Sequence, residues 1–122
     1  RIGTAEIYRQ VERIDAVLEA VAVGQEWEGD TRIVLFVLLR AGVGLDQGIR
    51  DRICRCIREN CTPRHVPAKI IQVKDIPRTK SGKITELAVR AIIAGKSVEN
   101  VEALANPEAL DYYRNLLELD SP

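Results

Sequence analysis

The chain is predicted to be an α+β fold, a small domain whose three-stranded sheet, a hairpin plus one strand, is covered by helices. Apolar residues at helical spacing open the chain, and a β-branched run of strand length follows. Segments with helix and strand periodicity then occur in the order αββαβα, with a short further helix at the end.

Each element has its own local cause. Thr4 is a suitable N-cap, and Ile7, Val11, Ile14 and Leu18 follow at helical spacing, so a first helix is expected over about residues 5 to 14. Val17 to Val23 mixes small and β-branched residues, Gly24 to Asp30 is polar and turn-like, and Arg32 to Leu39 is strongly apolar. This pattern reads as a β-hairpin with a longer loop. Gly42 and Gly44 end it, and a second helix is expected from about Asp46 to Asn60, with Ile49, Ile53, Cys56 and Ile57 on its inner face. Pro63 and Pro67 stop that helix, and Ala68 to Val73 reads as the third strand. A third helix, roughly Ile84 to Ala94 with Leu87, Ala88, Ala91 and Ile92 inward, ends at Gly95, where a left-handed cap is easily formed. Asn106-Pro107-Glu108 opens a short last helix with proline in its first turn.

Composition narrows the possible functions. The 122 residues suit a single hydrophobic core. Hydrophobic residues make up 46% and charged residues 30%, with no apolar run of membrane-spanning length, so a soluble chain without a membrane partner is expected. Eighteen basic residues balance eighteen acidic ones, which leaves nucleic acid no bulk electrostatic attraction, and a phosphate ligand would have to be met locally. The chain opens on Arg1 with nothing like a signal peptide, and is read as a fragment. Cys54, Cys56 and Cys61 suit reduced thiols in a cytoplasmic protein better than a disulfide framework. With His65 they superficially suggest zinc, but Cys54 and Cys56, two apart on a helix, point in different directions, so no metal site is expected. His65 reads as structural, and Trp27 either faces a further domain or packs locally.

The most unusual segment is the loop Pro77-Arg78-Thr79-Lys80-Ser81-Gly82-Lys83, with three cations and no acid. Gly82 frees the backbone to present Lys83 outward. It is not a P-loop, because proline stands at the first glycine and Ile84 at the hydroxyl residue that would hold magnesium. On composition alone Lys83 is either a solvated lysine before a helix or one set out to meet an anion. The unfavourable helix dipole at that position favours the second. On the second helix Arg55 has Asp51 and Glu59 four residues away on either side, whereas Arg52 and Arg58 have no acid at helical spacing. Those two are either a solvated stripe or free to bind an external group.

The segment Asp75-Ile76-Pro77-Arg78-Thr79-Lys80-Ser81-Gly82-Lys83-Ile84 resembles the final signature of the adenylate-forming superfamily, which includes the AMP-forming acyl-CoA synthetases. Arg1-Ile2-Gly3-Thr4-Ala5-Glu6-Ile7 resembles the family segment just after the hinge between its large and small domains. The resemblance implies that Lys83 is the catalytic lysine stabilising the forming acyl-adenylate, and that Arg1 contacts the nucleotide phosphate. It further implies that Arg58 meets the 3′-phosphate of coenzyme A, with Gly3 beside the pantetheine path. ATP with Mg2+ and CoA are then substrates, bound mainly by a large N-terminal adenylation domain, and no tightly bound cofactor is implied. A protein acetyltransferase acting on Lys83 is a further implied partner. Thr62 to Pro67, together with Ala103 to Leu110 beyond the lysine helix, resembles the acetoacetyl-CoA synthetase branch, for which acetoacetate is the acid activated. Residues 1–98 would then be the lysine domain and residues 99–122 a helical extension packed on it. Two rival readings are a synthetase for acetate or propionate and a non-catalytic anion-binding module.

Overall fold

The computed structural model describes residues 4–122. Helix α1 spans Thr4–Val11, shorter than its apolar stripe suggests. Ile14 is still buried, but it reaches the core from a tighter turn in which the N–H of Arg13 and of Ile14 bond the carbonyls of Gln10 and Val11. The spacing of the stripe thus outlasts the helix.

Strands β1 (Val17–Trp27) and β2 (Asp30–Leu39) form an antiparallel hairpin. The longer loop expected at 24–30 is instead strand up to Trp27, which pairs with Asp30. The turn is only Glu28 and Gly29, with φ of 51° and 80°, the left-handed pair that fits a tight hairpin. The polar residues before it misled because their partners are distant. Gln25 donates to the carbonyl of Leu119 at 2.9 Å and accepts from Arg32 at 2.8 Å, and Arg32 stacks 4.0 Å above the Trp27 ring. Trp27 therefore packs locally.

Helix α2 (Gln47–Asn60) begins at Asp46, whose carboxylate accepts the N–H of Ile49 at 2.8 Å. It carries the chain to β3 (Lys69–Gln72), which lies parallel to β2 and gives the order β1-β2-β3. Helix α3 is Glu86–Ile93, and Gly95 follows at φ 76°, the left-handed stop that the sequence expects. Three short 3-10 turns complete the chain, the longest being Pro107–Tyr113 with proline in its first turn.

Alternation along the strands sends side chains to two cores. Ala20, Ala22, Leu35 and Val37 face α1 and α2, meeting Ile7, Ile53 and Ile57. Val21, Val23, Val34 and Phe36 face α3 and the final turns, meeting Val89, Leu110 and Tyr113. Phe36 and Tyr113 touch edge to face, with ring centroids 4.8 Å apart. Three expected core positions lie elsewhere, of which Ala91 is only partly buried. Leu87 is 81% exposed, because the inward face of α3 is formed by Ala88, Val89 and Ile92 and Leu87 lies on the opposite side. Cys56 is only partly buried, at the rim where its thiol approaches Gln10 of α1.

Candidate functional site

The lysine loop is a short hairpin. Arg78 pairs with Ile84 in an antiparallel bridge, and the N–H of Thr79 donates to the carbonyl of Lys83 at 2.8 Å. Across its tip the N–H of Gly82 donates to the carbonyl of Thr79 at 2.8 Å, and Gly82 takes φ 89°, a left-handed value that glycine adopts without strain. The Thr79 hydroxyl accepts the N–H of Lys83 at 3.1 Å and also bonds the Ser81 hydroxyl at 2.9 Å. Lys83 thus closes a well-braced turn with its own side chain exposed, and among the described residues it forms no ion pair.

The three cations of the loop are not equivalent. The guanidinium of Arg78 pairs with Glu19 of β1 and lies 3.5 Å from Asp75, so it is used internally. Lys80 and Lys83 are the exposed pair. The sequence placed Arg78 in an acid-free run because Glu19 is remote in the chain and adjacent only in the fold.

Sequence reasoning also missed what lies beneath the loop. The side-chain amide of Asn106 donates to Asp75 Oδ2 and to the Ile76 carbonyl, both at 2.9 Å, while its oxygen accepts the N–H of Arg78 at 2.8 Å. Tyr113 donates its hydroxyl to the Asp75 carbonyl at 2.8 Å. Only the proximity of asparagine to Pro107 hinted at a fixed backbone there.

Arg58 is exposed in the last turn of α2, and Arg52 is exposed on the same helix. Neither forms an ion pair among the described residues. The pairs available to Arg55 do not form either, since Asp51 instead accepts from Gln47 at 2.8 Å. Since α2 and α3 cover opposite faces of the sheet, the fold does not bring Arg58 and Lys83 onto one face. Arg1 and Gly3 lie outside the described residues. Burial raises the thiol pKa of Cys54 and Cys61 above the ordinary value, and among the described residues no group of three or more His, Cys, Asp and Glu side chains is placed to hold a metal. His65 Nδ1 lies 2.8 Å from the Thr62 hydroxyl within its own turn.

A cleft of about 930 Å³ opens between the start of α1, the hairpin and the start of α3, with Thr4, Gly24, Arg64, Glu86, Leu87 and Arg90 among its walls. Lys83 lies outside it. The exposed Lys83 is therefore carried on a projecting loop rather than in the cleft. No described helix is long and apolar enough to cross a membrane.

This combination of a two-faced α+β fold and a projecting lysine hairpin falls within a recognised family. Residues 7–83 match the AMP-binding enzyme C-terminal domain, and the chain belongs to that family. Its similarity extends further along one branch. The chain is 61% identical over 121 residues to acetoacetyl-coenzyme A synthetase of Rhizobium meliloti (strain 1021), which covers 99% of this chain and 19% of that protein. Acetoacetyl-CoA synthetase from Streptomyces lividans superposes with a TM-score of 0.86 at 37% identity, covering 99% of this chain and 19% of that one. The Brucella canis acyl-CoA synthetase superposes with a TM-score of 0.68 at 25% identity, but over only 74% of this chain and 17% of its own. The chain spans about a fifth of the length of the relatives it matches.

Proposed function

We propose that this chain is the lysine-bearing C-terminal part of a cytoplasmic, AMP-forming acetoacetyl-CoA synthetase. The observation that carries this reading is Lys83, an exposed cation closing a braced hairpin at the end of the segment shared with the family. In the first step a carboxylate oxygen of acetoacetate attacks the α-phosphorus of ATP. The bond to the bridging oxygen breaks, and pyrophosphate leaves. Charge builds on the α-phosphate oxygens, and a long side chain with three N–H donors can follow it. In the second step the thiol sulfur of CoA, losing its proton, attacks the acyl carbon and AMP leaves. Mg2+ arrives with ATP as part of the substrate, held mainly by the large N-terminal adenylation domain of the same chain.

On this reading Arg1 contacts the nucleotide phosphate and Gly3 borders the pantetheine path. Arg58 offers its guanidinium fork to the 3′-phosphate of CoA, supported by its exposure and lack of an acidic neighbour at helical spacing. Residues 1–98 form the lysine domain, and residues 99–122 are an extension upon it. Acetylation of Lys83 by a protein acetyltransferase would remove the charge and stop adenylation.

The test is Lys83→Ala in the full-length protein, followed by acetoacetate-dependent exchange of pyrophosphate into ATP. Loss of exchange by about two orders of magnitude or more is expected. Normal exchange would support a non-catalytic anion-binding module instead. The same assay with acetate and propionate in the unaltered enzyme decides between acids.

A further inference from the structure

We propose that Asn106 is a positioning residue for Lys83, acting from the C-terminal turns to hold the root of the lysine hairpin. This proposal rests on the reading of Lys83 as the adenylation lysine.

The bonds beneath the loop are unusually one-directional. The side chain of Asn106 makes three hydrogen bonds, all of them to residues 75–78, at the hairpin's incoming arm. A carboxamide suits this place because it offers two donors and one acceptor in a single plane, which neither a carboxylate nor a hydroxyl does. Around it the N–H of Ala105 donates to the Arg78 carbonyl at 2.8 Å, and the N–H of Lys80 donates to the Ala103 carbonyl at 3.0 Å. Tyr113 holds the Asp75 carbonyl. Residues 75, 76, 78 and 80 are therefore all held by the segment 103–113, with Asn106 at its centre.

Position passes from there to Lys83 by hairpin pairing. Arg78 is bridged to Ile84 and Thr79 to Lys83, so the arm that Asn106 fixes carries the lysine backbone with it. Pro107 follows directly and disfavours a helical backbone at Asn106, which sits at φ −136° and ψ 65°. Packing and these bonds act on the same arm, since Ile76 is fully buried in the core and Arg78 also pairs with Glu19. Leu104, Leu110 and Tyr113 anchor the segment in the same core, and the polar bonds add a directional constraint on residues 75, 76 and 78. A lysine displaced by about 1 Å at the tip of a loop can lose about a hundredfold in rate. Asn106 and Tyr113 lie beyond the family match, which ends at Lys83.

The experiment uses the full-length protein and follows the two half-reactions separately. Asn106→Ala is expected to lower kcat for acetoacetate-dependent ATP–pyrophosphate exchange about 10- to 100-fold, with KM for ATP changed less than about 2-fold. Thioester formation from chemically made acetoacetyl-AMP and CoA is expected to stay within about 2-fold of the unaltered enzyme, because that step does not call on the lysine. Pairing Asn106→Asp with Asp75→Asn restores one amide–carboxylate contact in reverse order and is expected to recover part of the exchange rate. Unchanged exchange in Asn106→Ala, or a parallel fall of both half-reactions, would overturn the proposal. If Asn106→Ala does not fold, Tyr113→Phe removes one hydroxyl from the same cradle and should show the same split at about 3-fold, and its absence there is equally fatal. Lys83→Ala is the control. Exchange lost in that variant but normal in Asn106→Ala defeats the positioning role alone, whereas normal exchange in Lys83→Ala defeats the underlying reading.

Discussion

The phenol of Tyr8, in α1, donates a hydrogen bond to the carboxylate of Glu86 in the first turn of α3, while its oxygen accepts the N–H of Ala22 at 3.0 Å. One hydroxyl thus closes the free edge of β1 and ties together helices that cover opposite faces of the sheet. Tyr8→Phe leaves the Ala22 N–H and the Glu86 carboxylate without this partner. A loss of about 1–2 kcal/mol is expected, read as a lower urea midpoint with an unchanged slope.

Both Tyr8 and Tyr113 have their phenol pKa raised above the ordinary value of 10.0, in each case chiefly by burial. The folded chain therefore keeps protons that the unfolded chain releases in alkali, so stability must fall as pH rises past the ordinary tyrosine value. Urea midpoints at about pH 9 and about pH 11 measure this fall, which should be smaller in the Tyr8→Phe, Tyr113→Phe double variant. An equal fall in both proteins would contradict the assignment.

Gly82 should resist replacement for conformational reasons only. Nothing lies within 4 Å of where a Cβ would stand, yet φ is 89°. Gly82→Ala is therefore expected to cost about 1–2 kcal/mol from backbone strain without disturbing the packing. Chemical denaturation gives the cost, and an unchanged midpoint would show that the turn relaxes.

At the head of α2, Asp46→Ala removes the carboxylate that receives the N–H of Ile49. About 1 kcal/mol should be lost, and hydrogen exchange should quicken in the first turn of the helix before it quickens elsewhere. Exchange rising uniformly along α2 would argue against a local cap.

The 122-residue chain on its own is expected to release no AMP from ATP, acetoacetate and CoA, since its sequence has no glycine-rich loop to hold the nucleotide. Turnover by the purified chain would refute that.

The features legible in the sequence were those with local causes. The start of α2 near Asp46, the stop at Gly95 and the presentation of Lys83 after Gly82 follow from residues within a few positions of one another. The unread features depend on chain separation. Glu19 neutralises Arg78 from far upstream, and Asn106 reaches Asp75 across thirty-one positions. Gln25 looked like a loop residue because Leu119, which satisfies it, is ninety-four positions away. Leu87 and Val89 both suit an apolar face beside Ala88 and Ile92, and only packing against the sheet selects Val89. The parallel pairing of β3 had no local marker either, because periodicity reports which residues are buried and not the direction of the neighbouring strand.

Because the sheet is sandwiched, with α2 on one side and α3 on the other, the domain resembles a coin with a different inscription on each side. Arg58 belongs to one side and the lysine hairpin to the other. A flat neighbour pressed against one side leaves the other turned away from it, so presenting both in turn would take a rotation of the whole domain. The hydrogen-bonded lysine hairpin would travel with the domain in such a rotation.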